Sequence, residues 1–446
     1  MDTPICDFIK NYCDKNTLRF HMPGHKGQNF IGPESLDITE IEAADSLYEA
    51  SGIIQKSEQN ASSIFGCDTF YSAEGSSLCI RAMLYMACLY AKKSGRRPVI
   101  AAGRNAHKSF LTAAAFLDFD ILWLYPEKNS TYLSCEISAN ALETALISAE
   151  ETPSAVYITS PDYLGNISNI KDFATVCKKH GILLIVDNAH GAYLKFLENS
   201  LHPIDLGADM CCDSAHKTLP VLTGGAYMHI SKNAPSLLHE NAKNAMSLFG
   251  STSPSYLILQ SLDAVNKYIW DGYTGKLSTF IDSIRDLKNQ LTKHGFSIYG
   301  NEELKITIET KKYGYSGYEF AALLAEKNIV CEFFDPDFVV LMLTPELGAA
   351  SLKTLKSALV CIKQKEPIFD DLPQFLAPKK IMSVRRACLL ESEIIDYKNS
   401  EGRILAAPST GCPPAVPIVM CGEKINASAI KCFEYYGIKT CRVVKE

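Results

Sequence analysis

The sequence has no surplus of basic residues. Its 44 Lys and Arg stand against 50 Asp and Glu, a net charge of −6, where a nucleic-acid binder would carry a basic stripe. It opens Met-Asp-Thr-Pro-Ile-Cys-Asp, with no basic leader and apolar core, so no secretory signal is expected. It has no long hydrophobic run: the most apolar stretch, residues 82–91, is too short to span a bilayer and is cut off by Lys92 and Lys93. The 16 cysteines include no C-x-x-C pair, which speaks against a zinc knuckle, a thioredoxin-type centre or any metal site. A cytoplasmic protein without membrane or nucleic-acid partners is expected. Its cysteines should be free thiols that mostly serve as packing groups, Cys211 and Cys212 in a buried strand among them. There is no Walker sequence, no G-x-G-x-x-G, no internal repeat and no low-complexity tract.

A chain of 446 residues, 47% of them apolar, is long enough for two or three packed domains. Residues 1–58 read as an N-terminal helix and arm followed by loops. From 59 to 272, strand-length apolar runs alternate with helical stretches. Strands are predicted at 98–102, 120–124, 155–159, 182–187 and 209–212. Helices are predicted at 77–93, from 109, at 138–149, 170–180 and 255–271. This alternation implies an α/β domain with right-handed crossovers and a mostly parallel sheet. Residues 273–446 read as a smaller α+β domain, with a helix at 277–294, strands near 306–309, 330–334 and 339–344, a linker at 366–378 and a less regular end.

Three features fall where open α/β sheets bind ligands, at the carboxyl ends of strands. The apolar strand in Gly-Ile-Leu-Leu-Ile-Val-Asp-Asn-Ala-His-Gly (181–191) ends in Asp187. A carboxylate there is costly without a cationic partner, and a pyridinium nitrogen is one such partner. Lys217, in Asp-Ser-Ala-His-Lys-Thr-Leu (213–219), closely follows a short apolar strand. Partial desolvation would make it a nucleophile towards an aldehyde, with hydroxyls of Ser214 and Thr218 nearby for a phosphate. Ser-Ala-Glu-Gly-Ser-Ser (72–77) precedes a helix, whose N-terminus offers backbone N–H groups to an anion. Each has a plain structural reading alone: a turn cap, a solvated lysine, an ordinary N-cap. Together they describe one cofactor site with a phosphate cup, a ring-nitrogen acid and a Schiff-base lysine.

The sequence resembles the Orn/Lys/Arg decarboxylases, bacterial-type pyridoxal-phosphate enzymes on the aspartate-aminotransferase-like (fold type I) scaffold. His-Met-Pro-Gly-His-Lys-Gly (21–27) is similar to the family's N-terminal signature. Asp37-Ile-Thr-Glu, Asp45-Ser-Leu, Gly52-Ile-Ile, Arg104-Asn-Ala-His-Lys-Ser and Thr159-Ser-Pro-Asp-Tyr-Leu-Gly follow in family order. Asp187-Asn-Ala-His-Gly-Ala, Ser214-Ala-His-Lys-Thr-Leu-Pro, Gly250-Ser-Thr-Ser-Pro-Ser-Tyr and Cys412-Pro-Pro-Ala-Val-Pro continue it. The resemblance implies a lyase of polyamine biosynthesis that decarboxylates a basic amino acid, with pyridoxal 5'-phosphate on Lys217. It implies that Asp187 partners the ring nitrogen, His107 stacks on the ring, and Ser76, Ser77 and Ser214 hold the phosphate. Ala189 counts among the cofactor contacts. His216 would meet the substrate carboxylate or return a proton. Ser251, Thr252 and Ser253 would reach the phosphate of a neighbouring subunit, which implies a homodimer with shared sites. Because the chain begins almost at the signature, it is expected to lack the N-terminal wing of the family's large members and the rings built from it.

The sequence departs from the family at Ala73 and Glu74 in the phosphate cup, at Asn188 in place of a glutamate, and between Cys412 and Glu423. A cationic substrate tail calls for an acidic partner, and Glu423 and Asp45 are candidates. A different reaction on the same scaffold, amino transfer or β-elimination, would call on Arg385 or Arg386 as a carboxylate clamp. A non-catalytic binder of the cofactor or of a polyamine is the third reading. Against it stand the intact Asp187, His107, His216 and Lys217.

Overall fold

The computed structural model describes residues 1–127, 131–370, 372–408 and 414–445. Cys412 and Pro413, expected near the substrate end of the site, lie outside the described residues. Packing divides the chain into two compact units: Met1–Arg96 with Ile170–Leu277, and Arg97–Asn169 with Ser278–Glu446. The three-part division at 58 and 272 is retained as a proposal for how the chain is organised. No helix among the described residues is long and apolar enough to cross a membrane. The 15 described cysteines are free thiols.

Seven strands fall between residues 68 and 230: β1 (Asp68–Ser72), β2 (Val99–Gly103), β3 (Asp120–Leu124), β4 (Ala155–Thr159), β5 (Leu183–Asp187), β6 (Met210–Asp213) and β7 (Ala226–Ile230). In the first unit the order is β1-β7-β6-β5. β5 and β6 are parallel, with Asp187 opposite Cys212, and β7 is antiparallel to both of its neighbours. Every residue of β5, β6 and β7 is buried, which is why β5 reads as an unbroken apolar run rather than an alternation. Three helices of this unit matter here: α1 (Pro4–Asp14), α2 (Ile53–Phe65) and α3 (Gly75–Lys93). α2 begins inside the segment expected to be loop. Its buried Ile54, Ala61 and Phe65 are spread among Gln, Asn and Ser, so its apolar face is faint in the sequence.

In the second unit β4, β2 and β3 form a parallel set in that order, and α4 (Lys108–Leu117) follows β2. The rest is α+β, as expected. β8 (Ile298–Tyr299), β9 (Lys305–Glu309), β10 (Phe333–Phe334) and β11 (Phe338–Met342) form an antiparallel sheet ordered β10-β11-β9-β8. The strand expected at 330–334 shrinks to two residues, because Val330 is exposed and Asn328 turns the chain with φ +59°. The stretch after 379, expected to be irregular, holds β12 (Ser392–Asp396), β13 (Leu405–Ala407) and β14 (Thr440–Val444), with β14 in the middle.

The turn between β10 and β11 is built on Asp335. Its Oδ1 accepts from Asp337 N and Phe338 N, both at 2.8 Å, while its buried Oδ2 has no hydrogen-bond partner. Burial pushes this carboxyl up to about 7. Between about pH 4 and pH 7 the folded chain therefore holds a proton that the unfolded chain releases, so this group lowers stability as pH rises through that window. Asp335→Asn keeps the Oδ1 acceptor and removes the titration. Its melting temperature should fall less between pH 5 and pH 8 than that of the parent chain, and identical slopes would refute this account of Asp335.

Candidate functional site

The first unit brings most of the expected residues together at the carboxyl ends of β5 and β6. Asp187 closes β5 and is 3% exposed. Its Oδ1 accepts from Ala189 N at 3.3 Å and from the Cys212 thiol at 3.7 Å. The chain then turns, Gly191 N donating to Asn188 O at 2.7 Å. That turn sets His190 Nε2 3.0 Å from Lys217 Nζ. Lys217 sits on the single helical turn Ala215–Thr218 after β6, its N–H bonded to Ser214 O at 2.9 Å. Ser214 Oγ donates to Ser76 Oγ at 2.9 Å. Ser76 and Ser77, both half-buried, lie in the first turn of α3, where the helix end favours an anion. Gly75 enters that turn with φ +70°, and nothing lies within 4 Å of where its side chain would begin.

The unusual carboxylate of the cup, Glu74, accepts a hydrogen bond from Ser251 N at 2.5 Å. It thereby holds the exposed segment Ser251–Thr252–Ser253, which is bound again by Ser253 N to Ser251 Oγ at 3.1 Å. His216 Nδ1 lies 3.0 Å from Gly225 O, and since a carbonyl only accepts, Nδ1 carries the proton.

The second unit holds His107. It caps α4, its Nδ1 accepting from Ser109 N at 3.1 Å, and Lys108 N donates to Ala415 O at 2.9 Å. Three residues earlier, Arg104 Nη2 meets Glu423 Oε2 at 2.7 Å and Ile418 O at 3.3 Å. Both members of this ion pair are more than nine-tenths buried, and the guanidinium lies 5.0 Å from the Trp123 ring centre and 5.5 Å from that of Phe375. Burial pushes the Glu423 carboxyl up, and Arg104 only partly offsets this.

The two acids expected near a substrate cation have protein partners in the structure. Glu423 is paired with Arg104. Asp45 is held by backbone groups. Its carboxylate accepts from Ser46, Ser51, Gly52 and Ile54 N–H groups at 2.8–3.0 Å, capping the N-terminus of α2, and these bonds hold it below the usual carboxylate range against its partial burial. Arg385 and Arg386 are exposed, and Arg385 Nη1 donates to Phe116 O at the end of α4, 3.1 Å away. His190 was given no role in the sequence analysis, although it stands three residues after Asp187 in the same motif; that spacing was the available signal.

Residues 3–302 match the family model for Orn/Lys/Arg decarboxylase, major domain. The chain is similar to an arginine decarboxylase of Halalkalibacterium halodurans, 29% identical over 469 residues, 96% of this chain and 91% of that protein. It is as similar to an arginine decarboxylase of Bacillus subtilis, 29% identical over 465 residues, 96% and 92%. Among solved structures it resembles the Francisella novicida lysine decarboxylase LdcF, with a TM-score of 0.78 and 15% identity over 99% of this chain and 81% of that one. That likeness shows the aspartate-aminotransferase-like α/β fold expected from the sequence.

Removing one partner of a buried ion pair costs about 3–5 kcal/mol, far more than replacing both by apolar groups. Glu423→Ala should therefore lose stability on that scale, while the joint change Arg104→Met with Glu423→Leu should lose much less. Urea denaturation of the cofactor-free chain distinguishes the two. An equal or larger loss in the double variant would contradict the pairing.

Proposed function

Because the chain belongs to the Orn/Lys/Arg decarboxylase family, we propose that it removes carbon dioxide from a basic amino acid, arginine in the first place, with pyridoxal phosphate held on Lys217. The observation that carries this reading is the convergence of Lys217 Nζ, His190 Nε2, Asp187 and the Ser76–Ser214 hydroxyl pair at adjoining strand ends. The residues fit the cofactor. A phosphate asks for hydroxyls at a helix N-terminus with open space before it, which Ser76, Ser77, Ser214 and Gly75 supply. A ring nitrogen asks for a buried acid, and an aldehyde for an amine. Arginine is favoured over lysine and ornithine because relatives matched over nine-tenths of their length carry the name arginine decarboxylase.

Pyridoxal phosphate, when bound, supplies an aldehyde for the substrate amine and a pyridinium ring that takes up the electron pair left behind by carbon dioxide. Asp187 keeps the ring nitrogen protonated through its buried negative charge. Lys217 Nζ holds the cofactor between turnovers and stands ready to return a proton to the substrate Cα. His190, 3.0 Å away, takes up or gives back the proton at Nζ. His216, fixed through Nδ1 on Gly225 O, presents its other nitrogen as the second candidate for that proton. His107, held through Nδ1 on its own helix N-terminus, is assigned the ring-stacking role. Amino transfer gains no support from the second unit's arginines, since Arg385 is bound to a helix end.

We further assign the protein to the cytoplasm, where its many thiols stay reduced, and to a homodimer with shared sites. Leu18, Phe20, Phe30 and Ile31 are 78–94% exposed, yet their segment is pinned: Arg19 reaches Ser35 O at 2.6 Å, and Glu34 accepts from the N–H groups of Phe30, Ile31 and Gly32. A rigid segment displaying large apolar side chains fits an interface, and the exposed Ser251–Ser253 segment fits a contribution to the partner's phosphate.

Incubated separately with arginine, lysine and ornithine, the cofactor-saturated protein should give agmatine as the dominant amine. Cadaverine or putrescine instead would keep the reaction and change the substrate; no amine from any of the three would overturn the reading. Lys217→Ala should reduce amine formation by at least about a thousandfold, the scale of losing a covalent and acid–base group together.

A further inference from the structure

Behind the site, where no part of the proposed chemistry takes place, lies a second buried carboxylate. Asp213 ends β6 as Asp187 ends β5, and it is 0% exposed. Its Oδ1 accepts from Asn188 Nδ2 at 2.6 Å. Its Oδ2 lies 3.2 Å from both His202 Nε2 and His229 Nε2, whose rings are themselves 0% exposed. His229 Nδ1 continues to Thr69 Oγ1 at 3.0 Å, and Phe65 packs over both imidazoles, its ring centre 4.5 Å from His229 and 5.7 Å from His202. Burial pushes Asp213 up, and the two histidines more than reverse it, leaving the carboxyl well below its ordinary range. Burial likewise opposes a charged His229, and Cys67 and Asp213 outweigh it.

Stability does not explain this cluster, since apolar residues of similar size would serve a core as well or better. What a buried hydrogen-bond network does provide is a constraint on geometry. The Asn188–Asp213 bond joins the two loops that carry the site. Asn188 follows Asp187 and opens the turn to His190; Asp213 precedes Ser214 and stands four residues before Lys217. Asn188 N to Cys212 O at 3.0 Å and Ser214 N to Ala189 O at 3.3 Å close the same seam. Space is shaped around the amide as well: a side chain begun at Gly191 would stand 2.0 Å from Asn188 Oδ1.

We propose that Asn188 and Asp213 are positioning residues that set Lys217, His190 and Asp187 relative to one another, and that His202 and His229, both bonded to Asp213 Oδ2, fix that carboxylate in the place from which it holds Asn188. The cluster also brings His202, Cys211 and Asp213 within metal-ligand reach of one another. The inference rests on the reading of Lys217 as the cofactor lysine.

The test compares Asn188→Ala, Gly191→Ala and the exchange Asn188→Asp with Asp213→Asn. Gly191 has φ −116°, which alanine accepts, so this variant displaces the amide without deleting a polar atom. Two quantities are read, the pyridoxal-phosphate dissociation constant from protein fluorescence and the visible band of the bound cofactor, beside the melting temperature of the cofactor-free chain. Asn188→Ala and Gly191→Ala should each weaken binding roughly tenfold or more and change the band, with the cofactor-free chain still folding cooperatively. The exchange keeps one amide bonded to one carboxylate but moves the carboxylate to position 188, next to Asp187, and leaves an amide facing the two histidines, so it should not restore binding. Unaltered affinity and band in both single variants would overturn the proposal, and full recovery in the exchange would overturn the part given to the two histidines. A parent protein that forms no cofactor band at all would instead refute the underlying reading of Lys217.

Discussion

A carboxylate at the end of a buried strand must find compensation, and much of this molecule is arranged around that requirement. β5 and β6 run side by side and each ends in an aspartate. Asp213 is answered from within, by two histidines and an amide. Asp187 accepts from a backbone N–H at 3.3 Å and from a thiol at 3.7 Å. The same two strand ends hand the chain on to His190 and to Lys217, so the acid, the amine and their neighbour are set by one piece of backbone. Two acids of similar burial thus end adjoining strands in different company.

Elsewhere the same requirement is met differently. Lys305 and Glu302 pair at 2.8 Å with almost no exposure, and Arg104 and Glu423 do so at 2.7 Å. Asp45 is satisfied by backbone N–H groups at a helix N-terminus, and Asp335 only in part, through its Oδ1 within a strand turn. These carboxylates look alike in a sequence. Only their surroundings sort them: of the two acids expected near a substrate tail, Asp45 caps a helix and Glu423 is half of an ion pair.

The strands carrying the site were legible because both of their faces are buried, which writes an apolar run closed by a polar residue; Ile-Leu-Leu-Ile-Val-Asp and Met-Cys-Cys-Asp are of that kind. The lysine and the serines could be placed from their position after a strand or before a helix. What stayed hidden depends on tertiary partners. α2 has a thin apolar face, β7 owes its burial to strands distant in sequence, and His190 matters because a tight turn folds it back on Lys217. Asn188, visible only as a departure from the family, gains a physical reason once Asp213 and Gly191 are seen against it.

The account stands on Lys217 as the point of cofactor attachment. Borohydride treatment of the cofactor-loaded protein, followed by proteolysis and peptide mass analysis, tests this directly. The account predicts one pyridoxyl-modified peptide, the one containing Lys217, and no modification in Lys217→Ala. A modified lysine elsewhere, with the Lys217 peptide unchanged, would contradict it.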